Sequence, residues 1–381
     1  MRHHGAAYDE ALGLSKRGRK DLPIDTVPQA AEGERSRRRA APVMADVAVI
    51  AGVSHMTVSR VLNDPGSVKP VTRDRVLAAM QSLGYRPNSV ARALATGRTR
   101  RIGVLALATA LYGPTSTLLS IETAARVAGY HLDIVRLRAV TRQSIAEEAD
   151  GLRARGVDGI IGITPHTWAP GVLQSAISGL PLVAVEGAAG RLPTVAVDQE
   201  KGAALATEHL LALGHATVWH VAGPRGWLEA KARTRAWRET LQRAGRPVPP
   251  VLLGGWGVQS GYVAGRRLAQ ERDVTAVFVA NDQMALGVIR ALGETGLRVP
   301  DHVSVVGFDD VPEAAYFTPP LTTVRQDFDA VGLLALKLLL DQMADGTAEE
   351  RHVVVEPRLV VRESAAPPPS PRPRRGGRGR R

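Results

Sequence analysis

Six side chains within nine positions, His55, Met56, Thr57, Ser59, Arg60 and Asn63, are of the types that read a duplex. Arg60 carries paired donors suited to guanine, and His55 and Met56 can meet base edges. Thr57, Ser59 and Asn63 suit phosphate oxygens. A second polar set follows the apolar strands read below: Tyr112 and Thr115, the stretch Thr164 to Thr167, Asn281 and Asp282, and Asp309 and Asp310. Side chains of these types can hydrogen-bond the hydroxyls of a small ligand. Reaction chemistry has little support. The chain has no cysteine, no Gly-x-Ser-x-Gly elbow and no P-loop, and Glu208, His209, His215 and His220 lack metal-ligand spacing. Gly255-Trp256-Gly257-x-x-x-Gly261 imitates a dinucleotide fingerprint, but its spacing is off by one and the Trp would obstruct a pyrophosphate. No catalysis, metal or cofactor is expected.

The first set needs a helix presented outward. Asp46 to Asn63, DVAVIAGVSHMTVSRVLN, supplies it as a helix-turn-helix. Ala48, Ile50 and Ala51 form a short apolar helix, with small Ala48 at the crossing. Gly52 takes the left-handed turn, and Ser54 caps a second helix that sends Val58, Val61 and Leu62 inward. An ordinary αα-hairpin shares this spacing; the polar outer face of the second helix separates the two. Asp64, Pro65 and Gly66 make a turn, and Thr72 caps a third helix, Arg73 to Leu83, packing Val76, Leu77, Met80 and Leu83. Gly84 ends it. Pro87 and Asn88 then open a short helix within residues 86–97, too small to be stable alone and so able to act as a hinge.

From Arg101 apolar strands alternate with amphipathic helices, as in doubly wound parallel sheets. Strands are expected at Ile102 to Leu107, Leu132 to Val135, Gly159 to Ile163, Leu182 to Val185, Thr194 to Val197, Val218 to Val221, Ala276 to Ala280 and Ser304 to Gly307, with a closing strand across Val353 to Arg362. Helices are expected at Ser144 to Arg155, Glu200 to Leu213, Glu229 to Ala244, Val258 to Glu271 and Asp282 to Thr295.

The net charge of +12 on 381 residues is unevenly placed. Basic residues exceed acidic ones by three in residues 1–42, by six in 43–101 and by six in 365–381, whereas 102–364 is acidic by three. The basicity therefore lies with the duplex-reading segment and the two tails. Residues 1–42 and 365–381 show no packable pattern and are expected to be disordered, the latter rich in Pro, Gly and Arg. With no signal-peptide apolar region and no apolar run of membrane-spanning length, a cytoplasmic protein is expected.

Asp46 through Leu94, containing TVSRVLN and GYRPNSVARAL, and then VANDQMALG, SVVGFDD and PPLTTVRQDF, resemble the lactose-repressor (LacI/GalR) family. The resemblance implies an all-α helix-turn-helix headpiece and hinge helix over 43–101. An α/β periplasmic-binding-protein-like core of two Rossmann-like lobes would follow over 102–364. Relative to this family, residues 1–42 are an extension, either a basic arm or the product of a start placed too far upstream. The family pattern makes Leu94 a minor-groove wedge and Arg233, Asn281 and Asp309 the hydroxyl-binding groups. Trp256 becomes the stacking aromatic, and Gln326 and Phe328 the lining on the crossover. Tyr112 and Pro114, with Leu111, Gly113 and Thr117, form the first-loop wall. Where the family has an aspartate after the third strand this chain has Thr167, with His166 beside it. The expected protein is a transcriptional repressor, homodimeric on a near-palindromic double-stranded DNA operator and released by a small sugar or glycoside. The alternatives are a corepressor-type member whose ligand, such as a purine, strengthens DNA binding, a periplasmic sugar-binding protein, and an α/β enzyme.

Overall fold

The computed structural model describes residues 42–86, 93–94, 97–107, 110–137, 141–163, 166, 169–177, 179–186, 192–271, 273–346 and 351–369. Most of the expected N-terminal extension and hinge segment lies outside these residues, as do Thr167 and the tail beyond 369. Contacts divide the chain into two compact units, Met1–Pro87 and Asn88–Arg381.

Among its described residues unit 1 holds three α-helices, α1 Met44–Ala51, α2 His55–Asn63 and α3 Pro70–Leu83. The axes of α1 and α2 meet at 105°, which a single left-handed residue makes possible: Gly52 sits at φ 58°. Ser54 Oγ accepts from the Thr57 amide at 3.2 Å and closes the first turn of α2. The core is Val47, Ala48, Ala51, Val58, Val61, Val76 and Ala79. Two expected members are corrected. Ile50 and Leu77 are exposed, because the inward faces of α1 and α3 run through Val47 and Ala79 instead. The start of α3 is also earlier than expected: Lys69 is its N-cap and Pro70 its first residue, with φ already set for a helix. Ser54→Ala is expected to weaken unit 1 by about 1 kcal/mol, read as roughly fivefold faster hydrogen exchange of α2 amides in the full chain.

Among its described residues unit 2 contains two six-stranded sheets. The first lobe places β1 Arg101–Leu107, β2 His131–Leu137, β3 Gly159–Ile163, β4 Leu182–Val185, β5 Thr194–Val197 and β11 His352–Val355 in the order β11-β5-β4-β3-β1-β2, all parallel. The second lobe places β6 Trp219–Ala222, β7 Leu252–Leu253, β8 Ala276–Val279, β9 Ser304–Asp309, β10 Thr322–Arg325 and β12 Arg358–Val360 in the order β12-β10-β9-β8-β6-β7. Only β12 is antiparallel, against β10. Strands such as β3 and β9 are buried along their whole length, as parallel strands covered on both faces must be. The helices are α4 Tyr112–Val127, α5 Arg142–Ala154, α6 Ala169–Ala176, α7 Gln199–Ala212, α8 Leu228–Arg243, α9 Val258–Leu268, α10 Asp282–Glu294 and α11 Phe328–Asp345.

The expected closing strand is two strands in different sheets, because the chain crosses between lobes at residues 356–357. It also crosses at Asp198 and at residues 326–327. Two strands were not foreseen: β7 has only two residues, and β10 is threonine-rich without apolar alternation. Past β12 the chain stays on the second lobe, where the Ala366 amide donates to Ser304 Oγ at 3.0 Å and His215 Nε2 donates to the Ala366 carbonyl at 3.0 Å. The last glycine of the pattern that imitates a dinucleotide fingerprint, Gly261, has a packing cause. A Cβ on Gly261 would overlap the Met284 backbone, and one on Gly287 would overlap Val258, so α9 and α10 touch backbone to backbone.

Candidate functional site

On α2 the outer face is polar and open. His55 and Arg60 are exposed, Met56 is 62% exposed, and Thr57 and Ser59 are half-buried. Thr57 Oγ1 lies 2.9 Å from Ser54 Oγ, so the cap also orients this hydroxyl. Asn63 ends the helix, and its side chain lies outside the description. Arg60 shares a polar depression with Ser67, Lys69, Thr72 and Arg75, a strip of three cations from α2, the N-cap of α3 and α3 itself, of the charge that attracts a phosphate backbone. In unit 2, Ala93 and Leu94 are helical, and the Leu94 side chain is 84% exposed.

The second site is a cleft between the lobes, about 570 Å³ when the space open to solvent is included. The first lobe contributes Leu111, Tyr112, Gly113, Pro114, Thr117, Ile163, Glu186 and Phe328, and the second contributes Gln199, Trp227, Glu229, Arg233, Trp256, Asn281 and Asp309. Gln326 lines it from the crossover. The cleft thus gathers Tyr112, Pro114, Arg233, Trp256, Asn281, Asp309, Gln326 and Phe328, which span more than two hundred positions of sequence.

Its polar wall is a connected network around Arg233, which is 3% exposed. Arg233 Nε donates to Gln199 Oε1 at 2.9 Å, Nη1 donates to the Ala280 carbonyl, and Nη2 lies 3.8 Å from Asp309 Oδ1. The guanidinium rests 3.7 Å from the centroid of Phe308, a desolvated cation–π contact. Gln199 Nε2 donates to Gln326 Oε1 at 2.8 Å, and Gln326 Nε2 donates to Asp309 Oδ1 at 2.6 Å. One crossover segment is thereby tied to the cleft-facing groups of the second lobe. Asn281 is committed three times, accepting from the Met284 amide at 2.9 Å as the cap of α10 and donating to the Trp256 carbonyl and to Gln283 Oε1, each at 3.0 Å.

The apolar wall is aromatic. Trp227 and Trp256 meet edge to face at 5.6 Å, as do Tyr112 and Phe328 at 5.7 Å. Three cleft residues at strand ends, Glu186, Trp256 and Asp309, hold positive φ of 57°, 68° and 110°, strained conformations that re-aim their side chains.

Burial governs the titration of these acids. It pushes Asp309 up to about 6 against the pull of Arg233, and Glu186 up to about 7 against the Val197 amide. Glu229 is raised by burial and then by Glu186. A carboxyl whose folded value is raised keeps a proton that the unfolded chain has released, so stability falls as pH climbs from 4.5 to about 7 and is level above. Glu186→Gln is expected to reduce that slope, measured as the difference between thermal midpoints at pH 5 and pH 7.5.

Residues 43–88 match the model of bacterial regulatory proteins of the lacI family, and residues 207–365 match that of the periplasmic binding protein-like domain. The lactose operon repressor of Escherichia coli (strain K12) is 34% identical over 339 residues, covering 85% of this chain and 90% of that protein. The chain belongs to the LacI family. It is a DNA-binding transcriptional regulator. A solved lac repressor dimer bound to operator and the anti-inducer ONPF superimposes with a TM-score of 0.76 at 32% identity, over 86% of this chain and all of that one. A complex of the transcriptional regulator CelR with cellobiose gives 0.64 at 31% identity, over 85% of this chain and all of that one.

In this LacI-family chain the cleft acid from the first lobe is Glu186, after β4, and Thr167 is outside the described residues. His166, beside it, pairs instead with the loop before α8: Nδ1 lies 3.3 Å from the Gly226 carbonyl and the ring 5.5 Å from Trp227. Glu186, Gln199, Trp227 and Glu229 were not foreseen. Inspecting the residue after every strand would have found Glu186. The other three sit inside the first turns of α7 and α8 or just before them, where polar and aromatic residues carry no distinct signal.

Proposed function

We propose that this LacI-family regulator is a cytoplasmic repressor of carbohydrate-utilisation genes. It binds a near-palindromic operator as a homodimer and is released when a small sugar or glycoside occupies the cleft. The observation that carries this reading is the Arg233–Gln199–Gln326–Asp309 network, which joins hydroxyl-binding groups to an inter-lobe crossover within hydrogen-bond distance. A polyol presents donors and acceptors to that network and an apolar ring face to Trp256 or Trp227. The lac repressor dimer on its operator and the CelR–cellobiose complex support both halves of the reading. His55, Met56 and Arg60 read base edges, Thr57, Ser59 and Asn63 hold the phosphate backbone, and Leu94 wedges the minor groove.

Sugar binding draws the lobes together and changes the geometry in which a dimer presents its two headpieces; such coupling is typically about 1 to 3 kcal/mol and acts reciprocally. The chain binds its effector and does not turn it over. Fluorescence anisotropy of a labelled palindromic operator from the DNA upstream of the gene, with galactosides and glucosides titrated in, tests this. Release by a sugar supports an inducible repressor. Tighter binding makes the protein a corepressor type, and the absence of any sugar response overturns the effector class.

A further inference from the structure

Acidic side chains outnumber basic ones in the cleft. Among its described lining residues three carboxylates, Glu186, Glu229 and Asp309, face one cation, Arg233. Three of these four groups are engaged. Arg233 spends its donors on Gln199, Ala280 and Asp309. Asp309 accepts from Gln326, and Glu186 accepts from the Val197 amide and from Gln199 at 3.1 and 3.3 Å. Glu229 differs, because its Oε2 is buried without a hydrogen-bond partner. Trp256, only 6% exposed, likewise leaves its Nε1 unpartnered, and its ring packs against Trp227 beside Glu229 in the cleft wall.

A neutral hydroxyl could give Glu229 one hydrogen bond but no countercharge. An ammonium gives both, and indoles and tyrosine are surfaces on which a desolvated cation gains further attraction. We propose that the effector is a cationic saccharide, an amino or imino sugar whose ammonium pairs with Glu229 next to Trp227 and Trp256 while its hydroxyls meet the Arg233 network. This rests on the sugar reading above and narrows it to one class. The burial that raises Glu229 and Glu186 fits such a partner, since an arriving cation offsets the cost of ionising either.

The test is calorimetry on the full chain with matched probes. These are glucose, 2-amino-2-deoxyglucose, its N-acetyl derivative, 6-amino-6-deoxyglucose and 1-deoxynojirimycin, each also as a β-1,4-linked disaccharide where one exists. At least one amine-bearing probe is expected to bind roughly tenfold or more tighter than its neutral counterpart. Glu229→Gln is expected to abolish that preference, bringing each amine-bearing probe to the affinity of its neutral counterpart measured on the same variant. Raising the ionic strength should narrow the wild-type preference in the same direction, which needs no variant. Neutral sugars binding as tightly as their amines, in the wild type and the variant alike, would overturn the cationic class and leave the sugar-responsive repressor standing. Failure of every probe, neutral and cationic, would overturn both.

Discussion

Arg233→Ala is expected to abolish release of the operator by sugar while leaving operator affinity in the absence of sugar within about twofold. Arg233 is the hub of the cleft, and without it Asp309 loses its countercharge, Gln199 loses a donor, and the Phe308 face is left bare. Removing one partner from a buried ion pair typically costs about 3 to 5 kcal/mol, because the survivor stays buried and charged. Part of that loss falls on the thermal midpoint of unit 2 and the rest on effector affinity, which should drop by more than about a hundredfold. Unit 1 keeps its own core of Val47, Val58 and Val76, which Arg233 does not enter. Anisotropy of a labelled operator, titrated with protein and then with sugar, reads both halves. Arg233→Lys should fail almost as badly, since a lysine cannot serve three acceptors in one plane. Unchanged release in either variant would remove Arg233 from the binding site.

Arg60→Ala gives the second large effect, on DNA. Arg60 is exposed on the outer face of α2, so its loss should not move the stability of unit 1. If it reads a guanine, operator affinity falls by about 1 to 3 kcal/mol and the preference at one base pair relaxes. If it holds a phosphate with Lys69 and Arg75, affinity falls evenly across sequences and the slope of log K against log salt shrinks by about one. A salt series on the operator and on single-base variants separates the two. No change in affinity would place Arg60 off the DNA.

Most of the fold could be read from the sequence because parallel strands buried on both faces are unbroken apolar runs. GIIGI, LVAV and TVAV fall on β3, β4 and β5 to the residue. Where burial comes from neighbours in space, the pattern thins. Thr322 and Thr323 of β10 are fully buried, yet they are polar because Thr323 Oγ1 donates to Asp282 Oδ1 at 2.6 Å. Of the cleft, the strand-end residues Asn281 and Asp309 were visible for that same reason, while Arg233 and Trp256 came from family resemblance alone. Glu229 was read only as the start of a helix. Its unpartnered oxygen is a property of the folded wall that no spacing encodes.

The three crossings between lobes set a timetable for synthesis. The first lobe breaks off after β5 and resumes only with α11 and β11, so its sheet waits with an open edge while residues 198–327 are made and built into the other lobe. At ordinary elongation rates of about 5 to 20 residues per second, that wait is on the order of ten seconds. The second lobe in turn lacks β12 until after β11 has formed, so both lobes become complete within the last few strands of the chain. A nascent chain stopped between β10 and His352 leaves the ribosome with two unfinished sheets, whose bare edges are substrates for chaperones and proteases.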